Sequence, residues 1–165
     1  MNVKIDVKGM NEVEKFLKTL PDEVSRKMLY GALMGAAMPI MKQARANVLR
    51  NFGRSARYTY TLEEAMVRGR SKKTGLAARV NVMIKKGKVK GKTVKYGVEK
   101  PYGDDAFYGR FLEFGTSKMA AKPFLRPAAD SMAREAAKRF NNTINKRMAK
   151  WCKQNGVRHR PGMGT

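Results

Sequence analysis

The order of hydrophobic patterns along this chain predicts an α+β fold: a small antiparallel sheet, made of an N-terminal strand and a hairpin, packed against a long kinked N-terminal helix and a C-terminal amphipathic helix. Apolar residues alternate with polar ones in three short segments, as in strands with one buried face. Elsewhere they recur every three or four residues, as on one side of a helix. The sequence contains no internal repeat and no dividing linker, so it predicts one domain over residues 1–155 and a basic C-terminal arm over residues 156–165.

The N-terminal third is predicted to contain one strand and two helices. Apolar and charged residues alternate over residues 3–8, which favours a strand. Residues 11–20 have the apolar spacing of a short helix, and a long helix should follow over residues 22–49. Pro39 lies inside this second helix and should kink it, because proline has no N–H for the preceding turn.

The middle of the chain is predicted to be a loop followed by a hairpin. Residues 51–75 are polar, basic and irregular, which predicts a loop that can include one helical turn around residues 62–66. Alternating apolar residues at 80–84 and 94–98 should pair as a hairpin. The hairpin tip carries Lys85, Lys86, Lys88, Lys90 and Lys92. These lysines are either a solvated tip or a basic contact arm for an acidic neighbour or a phosphate backbone, and the sequence leaves both open.

The C-terminal part is predicted to be an amphipathic helix. Its apolar stripe consists of Met132, Ala136, Phe140, Ile144 and Met148, and Trp151 closes it. The other faces are basic, a pattern found in helices that bind membranes or nucleic acids. Alanines flank the stripe and suit tight packing, so we favour a helix that packs on the sheet with its cations in water.

The composition restricts both the partners and the chemistry of the protein. The 165 residues include 36 Lys and Arg against 13 Asp and Glu, a formal net charge of +23. Such an imbalance favours nucleic acid, acidic protein surfaces or, less strongly, an anionic membrane as a partner. The chain has one cysteine, Cys152, and one histidine, His159, which excludes an internal disulfide and a zinc site made by one chain.

Catalytic patterns are not evident in the sequence. Glu63 and Glu64 are adjacent and would point apart on a helix, and His159 lies in a glycine-rich tail. The segment "GRSKKTG" lacks the glycine spacing and the upstream strand of a phosphate-binding loop. We therefore expect neither an enzyme nor a cofactor.

The most informative stretch is "FYGRFLEFGTSKMAAKPFLRPA", residues 107–128. Its aromatic residues can form one apolar face, and Gly115 suits a positive φ at the end of that element. Pro123 and Pro127 should hold the intervening residues extended, which lowers the entropy lost on binding. This stretch is therefore either a preformed surface element with Phe124 and Leu125 as anchors, or a segment that seats the last helix.

The same stretch resembles the signature of the tail-completion, or head–tail joining, proteins of long-tailed double-stranded DNA phages. The matching positions are Tyr108, Glu113, Phe114, Gly115, Thr116, Pro123, Phe124, Leu125, Pro127 and Ala128. Leu20-Pro21, the alanine-rich long helix and Thr74-Gly75-Leu76 also match the layout of that family. The chain departs from it where "YTYTLEEAMVRGRSKK" stands in place of a proline-containing turn.

The resemblance implies a structural virion protein that is assembled in the host cytoplasm. Such proteins form homo-oligomeric rings, commonly hexameric, at the neck or head-proximal tail end, where they complete the tail and join it to the head. Neck connector and tail-tube proteins are the implied partners, genomic double-stranded DNA passes through the lumen, and no membrane is involved. A lumen lined with lysines would hinder that passage, so we expect many cations to face acidic partner proteins.

We expect residues 107–127 to carry the contact between subunits or to orient it. The predicted assembly interface consists of Tyr108, Phe111, Glu113, Phe114, Gly115, Thr116, Pro123, Phe124, Leu125, Arg126 and Pro127. The main alternative function is a non-enzymatic, basic nucleic-acid-binding protein, which the charge favours but for which the sequence contains no known binding motif.

Overall fold

The computed structural model describes residues 10–53, 59–70, 78–84, 94–95, 98–99 and 106–157. These residues are mostly helical with small two-stranded sheets, so the predicted α+β class is confirmed. The predicted N-terminal strand lies outside the described residues, as do all five lysines of the predicted hairpin tip and nearly all of the predicted C-terminal arm.

The described chain contains five helices and four short strands. The helices are α1 (Met10–Lys18), α2 (Asp22–Phe52), α3 (Thr59–Ala65), α4 (Gly109–Phe114) and α5 (Leu125–Gln154). The strands are β1 (Met66–Arg70), β2 (Val80–Ile84), β3 (Val94–Lys95) and β4 (Val98–Glu99). The first two helices and the last one confirm the elements predicted there, and α2 stays helical through Pro39.

Two predictions for the middle of the chain are wrong. The expected loop with its one helical turn instead contains the helix α3 and the strand β1. Leu62 and Ala65 of α3 and Met66 at the start of β1 are all 0% exposed. Among the residues that the structure describes, β2 pairs with β1, so the prediction that β2 pairs with the later segment is wrong. The segment expected to pair with β2 instead forms a separate antiparallel ladder, in which Val94 of β3 lies opposite Glu99 of β4.

The chain divides into two compact units, and both long helices contribute to each of them. The first unit comprises residues 1–38, 70–81 and 133–165. Its core residues include Val13, Leu17, Met28, Ala32, Ala136, Phe140, Ile144, Met148 and Cys152. Four residues of the stripe predicted on the last helix, Ala136, Phe140, Ile144 and Met148, are thus buried within this unit. Met132 is half-buried and belongs to the second unit, and Trp151 is half-buried and packs edge-on against Phe16. A single domain over residues 1–155 stays a prediction.

The second unit comprises residues 39–69 and 82–132. Its core consists of Met41, Ala44, Val48, Leu62, Ala65, Met66, Ala106, Phe124 and Ala128. Arg45 of α2 donates a hydrogen bond to the carbonyl of Met66 at 2.9 Å, which ties α2 to the junction between α3 and β1.

A glycine sets the position of α4 in this unit. A Cβ on Gly109 would lie 2.5 Å from Cδ1 of Ile84 and 2.6 Å from Cδ1 of Leu62. The first turn of α4 therefore approaches β2 and α3 more closely than any residue with a side chain would allow.

Among the described residues, no helix combines the length and the hydropathy needed to cross a bilayer.

Candidate assembly interface

A buried carboxylate joins α4 to the start of α5 within the second unit. Glu113 lies on α4 and is 3% exposed. Its Oε2 accepts hydrogen bonds from the backbone N–H of Phe124 at 2.8 Å and of Leu125 at 2.9 Å. Its Oε1 accepts the N–H of Arg126 at 3.0 Å. Glu113 is therefore the N-terminal cap of α5, contributed by a different helix.

This cap leaves no free N–H at the start of α5. The first four N–H positions of an α-helix lack partners within the helix, and here they belong to residues 124–127. Three of them donate to Glu113, and the fourth residue is Pro127, which has no N–H. A negative charge at this position also interacts favourably with the dipole of the 30-residue helix.

The start of α5 corrects one prediction. The residues between Pro123 and Pro127 are not held extended, because α5 already begins at Leu125. Pro127 lies in the first turn of the helix, where a proline removes no intrahelical hydrogen bond.

The loop from Gly115 to Pro123 folds back on the end of α4. Gly115 has a φ of 77°, as predicted, and its N–H donates to the carbonyl of Phe111 at 2.8 Å. Thr116 and Met119 exchange two backbone hydrogen bonds across a tight turn. The N–H of Lys122 donates to the carbonyl of Leu112 at 2.8 Å, so an otherwise unpaired carbonyl at the end of α4 gains a partner.

Amide side chains of α2 hold the backbone that leads into α5. Asn47, which is 3% exposed, donates to the carbonyl of Phe124 at 3.1 Å and accepts a hydrogen bond from Gln43 at 3.1 Å. Asn51 donates to the carbonyl of Pro123 at 3.2 Å. These amides were not predicted from the sequence, although three of them spaced four apart on an alanine-rich helix were a visible signal.

The exposed side of this segment carries aromatic rings and arginines. Phe107, Phe111 and Phe114 are 63%, 41% and 65% exposed, and the rings of Phe107 and Phe111 pack edge-on with centroids 6.4 Å apart. The guanidinium of Arg126 lies 4.9 Å from the ring centroid of Phe114, and that of Arg110 lies 5.9 Å from that of Phe111. We call these five residues the aromatic–arginine face.

The structure places the predicted interface residues at three depths. Glu113 and Phe124 are buried; Tyr108, Gly115, Leu125 and Pro127 are half-buried; Phe111, Phe114, Thr116, Pro123 and Arg126 are exposed.

Phe124 differs most from expectation, since its side chain lies in the core at 0% exposure and is not a surface anchor within the subunit. Its ring lies in the core of the second unit, and its backbone N–H and carbonyl bind Glu113 and Asn47 at the start of α5. The exposed rings are those of the aromatic–arginine face, and the part that any of these residues plays in assembly stays a prediction.

Groups suited to other chemistry are sparse in the part of the chain that the structure describes. No cluster of three or more His, Cys, Asp or Glu side chains there could hold a metal ion. Cys152 is buried at 1% exposure in the first unit.

Comparison with known proteins identifies the family. Residues 11–115, well over half of the chain, match the family described as "Bacteriophage HK97-gp10, putative tail-component". No curated protein and no solved structure matches the chain. The match includes α4 with Glu113 and ends at Gly115, the glycine that closes that helix. The chain therefore belongs to the HK97-gp10-like family of phage tail components, and it is a structural protein of the virion tail.

Proposed function

We propose that the protein completes the phage tail by forming a homo-oligomeric ring, commonly of six subunits in related proteins, at the neck or head-proximal tail end. In this position it joins the tail to the head, contacts neck connector and tail-tube proteins, and lets the genomic DNA pass through its lumen. The family match supports a role in the tail, and the signature at residues 108–128 supports the tail-completion role.

The observation that carries the proposal is an exposed aromatic segment on a fixed backbone. The carboxylate of Glu113 and the amides of Asn47 and Asn51 hold residues 123–126 from two sides. The rings of Phe107, Phe111 and Phe114 stay exposed beside them. Aromatic side chains are strong anchors in protein interfaces, and a segment that is already ordered loses less entropy when it binds.

This arrangement suits assembly. A rigid cap on a helix and an apolar surface can fix the orientation of a neighbouring protein without any bond being made or broken. That neighbour is either the next copy in the ring or another virion protein, and the ring itself closes when head-to-tail contacts between identical copies repeat with a rotation that divides a full turn.

Electron microscopy of the purified protein tests the ring directly. We expect closed rings, and tail tubes mixed with the protein should carry one ring at one end. A solitary monomer at high concentration, together with normally tailed particles from a phage that lacks the protein, would refute the proposal. A monomer that binds duplex DNA tightly would favour the nucleic-acid-binding alternative.

Complementation of the same phage tests the segment. Phe114→Ser removes one exposed ring of α4, while Val157→Ser removes an exposed apolar side chain that follows the end of α5. We expect Phe114→Ser to lower the yield of tailed particles and Val157→Ser to leave it unchanged. Equal yields for both variants would remove residues 107–127 from the interface.

A further inference from the structure

The aromatic–arginine face lies on a segment whose exposed charges are all positive. Arg110, Lys118, Lys122 and Arg126 are exposed between residues 107 and 127. The single acid in that stretch is Glu113, which is buried and whose carboxylate accepts three N–H groups of α5. Any surface that covers this face must therefore supply negative charge for the cations as well as apolar contacts for the phenylalanine rings.

Both arginines of the face are held in place and remain able to bind. Their guanidiniums lie over the rings of Phe111 and Phe114, and neither pairs with a carboxylate among the residues that the structure describes. A guanidinium stacked on a ring keeps its N–H edge free for a bidentate contact with a carboxylate. The stacking also restricts the side chain before binding, which reduces the entropy lost in the complex.

We infer that the aromatic–arginine face docks onto an acidic protein surface, in which carboxylates surround an apolar depression, on a partner other than a second copy of this chain. This inference rests on the proposed function and names the kind of virion protein that the ring would contact through this face.

Charge argues against a second copy. Each chain carries a net charge of +23, and two such faces in contact would bring their arginines and lysines together without any exposed acid between them. Elsewhere on the described chain, three exposed acids are paired within their own helices, in Glu14–Lys18, Asp22–Arg26 and Glu135–Arg139. Glu12, Glu23 and Asp130 are exposed as well, but no three acids of the described chain come together as a cluster that could hold a cation, so another surface of a second copy offers this face no acidic cluster. A separate acidic protein therefore fits this face better than the same face of a second copy, and better than another surface of a second copy.

The rings argue against nucleic acid. Duplex phosphates could pair with the arginines, but the surface of a duplex is mainly a charged, hydrated backbone, which offers little apolar area for three exposed phenylalanine rings to cover. Aromatic residues and arginine together are instead typical of the centres of protein–protein interfaces.

The test uses the full-length protein and three probes: the purified tail-tube protein of the phage, its purified neck connector protein, and a short DNA duplex. The variant is Arg110→Gln/Arg126→Gln, which removes both guanidiniums without adding acids. The matched control is Arg134→Gln/Lys138→Gln, which removes two exposed cations of α5 from the other unit. Circular dichroism verifies that each variant is folded, and light scattering gives the mass of each assembly.

We expect the wild-type protein to bind the acidic one of the two virion proteins, and the Arg110/Arg126 variant to bind it about tenfold more weakly or worse, with the mass of its own assembly unchanged. The control should lose about twofold or less. Phe111→Ser should also weaken binding, because it removes apolar surface without changing the charge.

Four results would overturn the inference. Equal losses in variant and control would show that only net charge matters. A lower assembly mass with unchanged binding would make the face a contact between copies. Loss of duplex binding alone would assign the face to nucleic acid. If the wild-type protein forms ring-shaped oligomers that bind neither virion protein, the inference about this face is wrong but the proposed oligomeric ring is retained. If the wild-type protein is a monomer, the proposed oligomeric ring is itself wrong.

Discussion

Glu113 and Phe124 lie eleven residues apart in the chain, yet the carboxylate of one accepts the backbone N–H of the other at 2.8 Å in the protein interior. Because the same carboxylate also accepts the next two N–H groups, the end of α4 and the beginning of α5 are fixed to one another. The exposed rings of α4 are thereby fixed relative to the start of α5. The first prediction concerns this carboxylate.

Replacement of Glu113 should destabilise the fold. Glu113→Ala leaves three N–H groups at the start of α5 without their acceptor, and we expect the free energy of unfolding to fall by about 3 kcal/mol or more. Glu113→Gln keeps the shape but loses the charge, and should lower it by about 2 kcal/mol. Urea denaturation measures both. Glu135→Ala is the control, since its exposed pair with Arg139 contributes about 0.5 kcal/mol or less; an equally small effect at Glu113 would contradict the cap.

Gly115 should tolerate no side chain. A Cβ at this position would lie 2.9 Å from the backbone N of Ala121 and 2.9 Å from the carbonyl O of Met119, and the φ of 77° is itself unfavourable for alanine. We expect Gly115→Ala to lower the unfolding free energy by more than 2 kcal/mol, from about 1–2 kcal/mol of backbone strain plus the clash. Gly53→Ala has a similar φ of 69° with nothing within 4 Å, so thermal denaturation should show the smaller strain alone. Equal losses at the two glycines would mean that the backbone around Gly115 gives way.

The two asparagines of α2 should differ in importance. Asn47→Ala removes a buried donor to the carbonyl of Phe124 and leaves the Gln43 amide without its acceptor, so we expect a loss of about 1–3 kcal/mol. Asn51→Ala removes an exposed hydrogen bond to Pro123, where water can substitute, and should change stability by about 0.5 kcal/mol. Chemical denaturation of both variants measures the two losses of unfolding free energy. Equal losses would mean that the buried hydrogen bonds of Asn47 contribute no more than the exposed one of Asn51.

Phe124 and Phe114 should separate folding from assembly. Phe124→Ala empties a core position with 0% exposure and should lower the unfolding free energy by about 3–5 kcal/mol. Phe114→Ala removes a ring that is 65% exposed and should change stability by about 0.5 kcal/mol or less while it impairs tail joining. Calorimetry and particle counts measure the two effects. A large loss of stability in Phe114→Ala would mean that this ring also supports the fold.

The elements that the sequence predicts well are those with a long, regular apolar period. In α5 the residues Ala136, Phe140, Ile144 and Met148 recur every fourth position and are all buried. A stripe of this length fixes both the helix and its inward face, because the strand period of two would place the polar residues Lys138, Asn142 and Lys146 on the same side as the stripe. The positive φ of Gly115 was also predictable from the sequence, because only a glycine adopts such a φ without strain.

The elements that the sequence did not predict depend on contacts far along the chain. Basic residues precede α3 and end β1, and the few apolar residues of this segment become informative only once Leu62 and Met66 are seen to be buried. Local pattern could not choose the partner of β2, because β1 and the later segment both carry strand-like residues. The role of Glu113 was hidden for the same reason, since its three donors belong to another helix.

The capped start of α5 has a consequence for any polyanion near the protein. The amino end of a long helix normally offers unpaired amides and a partial positive charge, and phosphate groups bind there readily. Here those amides are occupied by an internal acid, and the next position is a proline. A phosphate of DNA that passes this end of the helix would find no unpaired backbone amide to bind, so any contact there would be limited to the side chains of nearby cations.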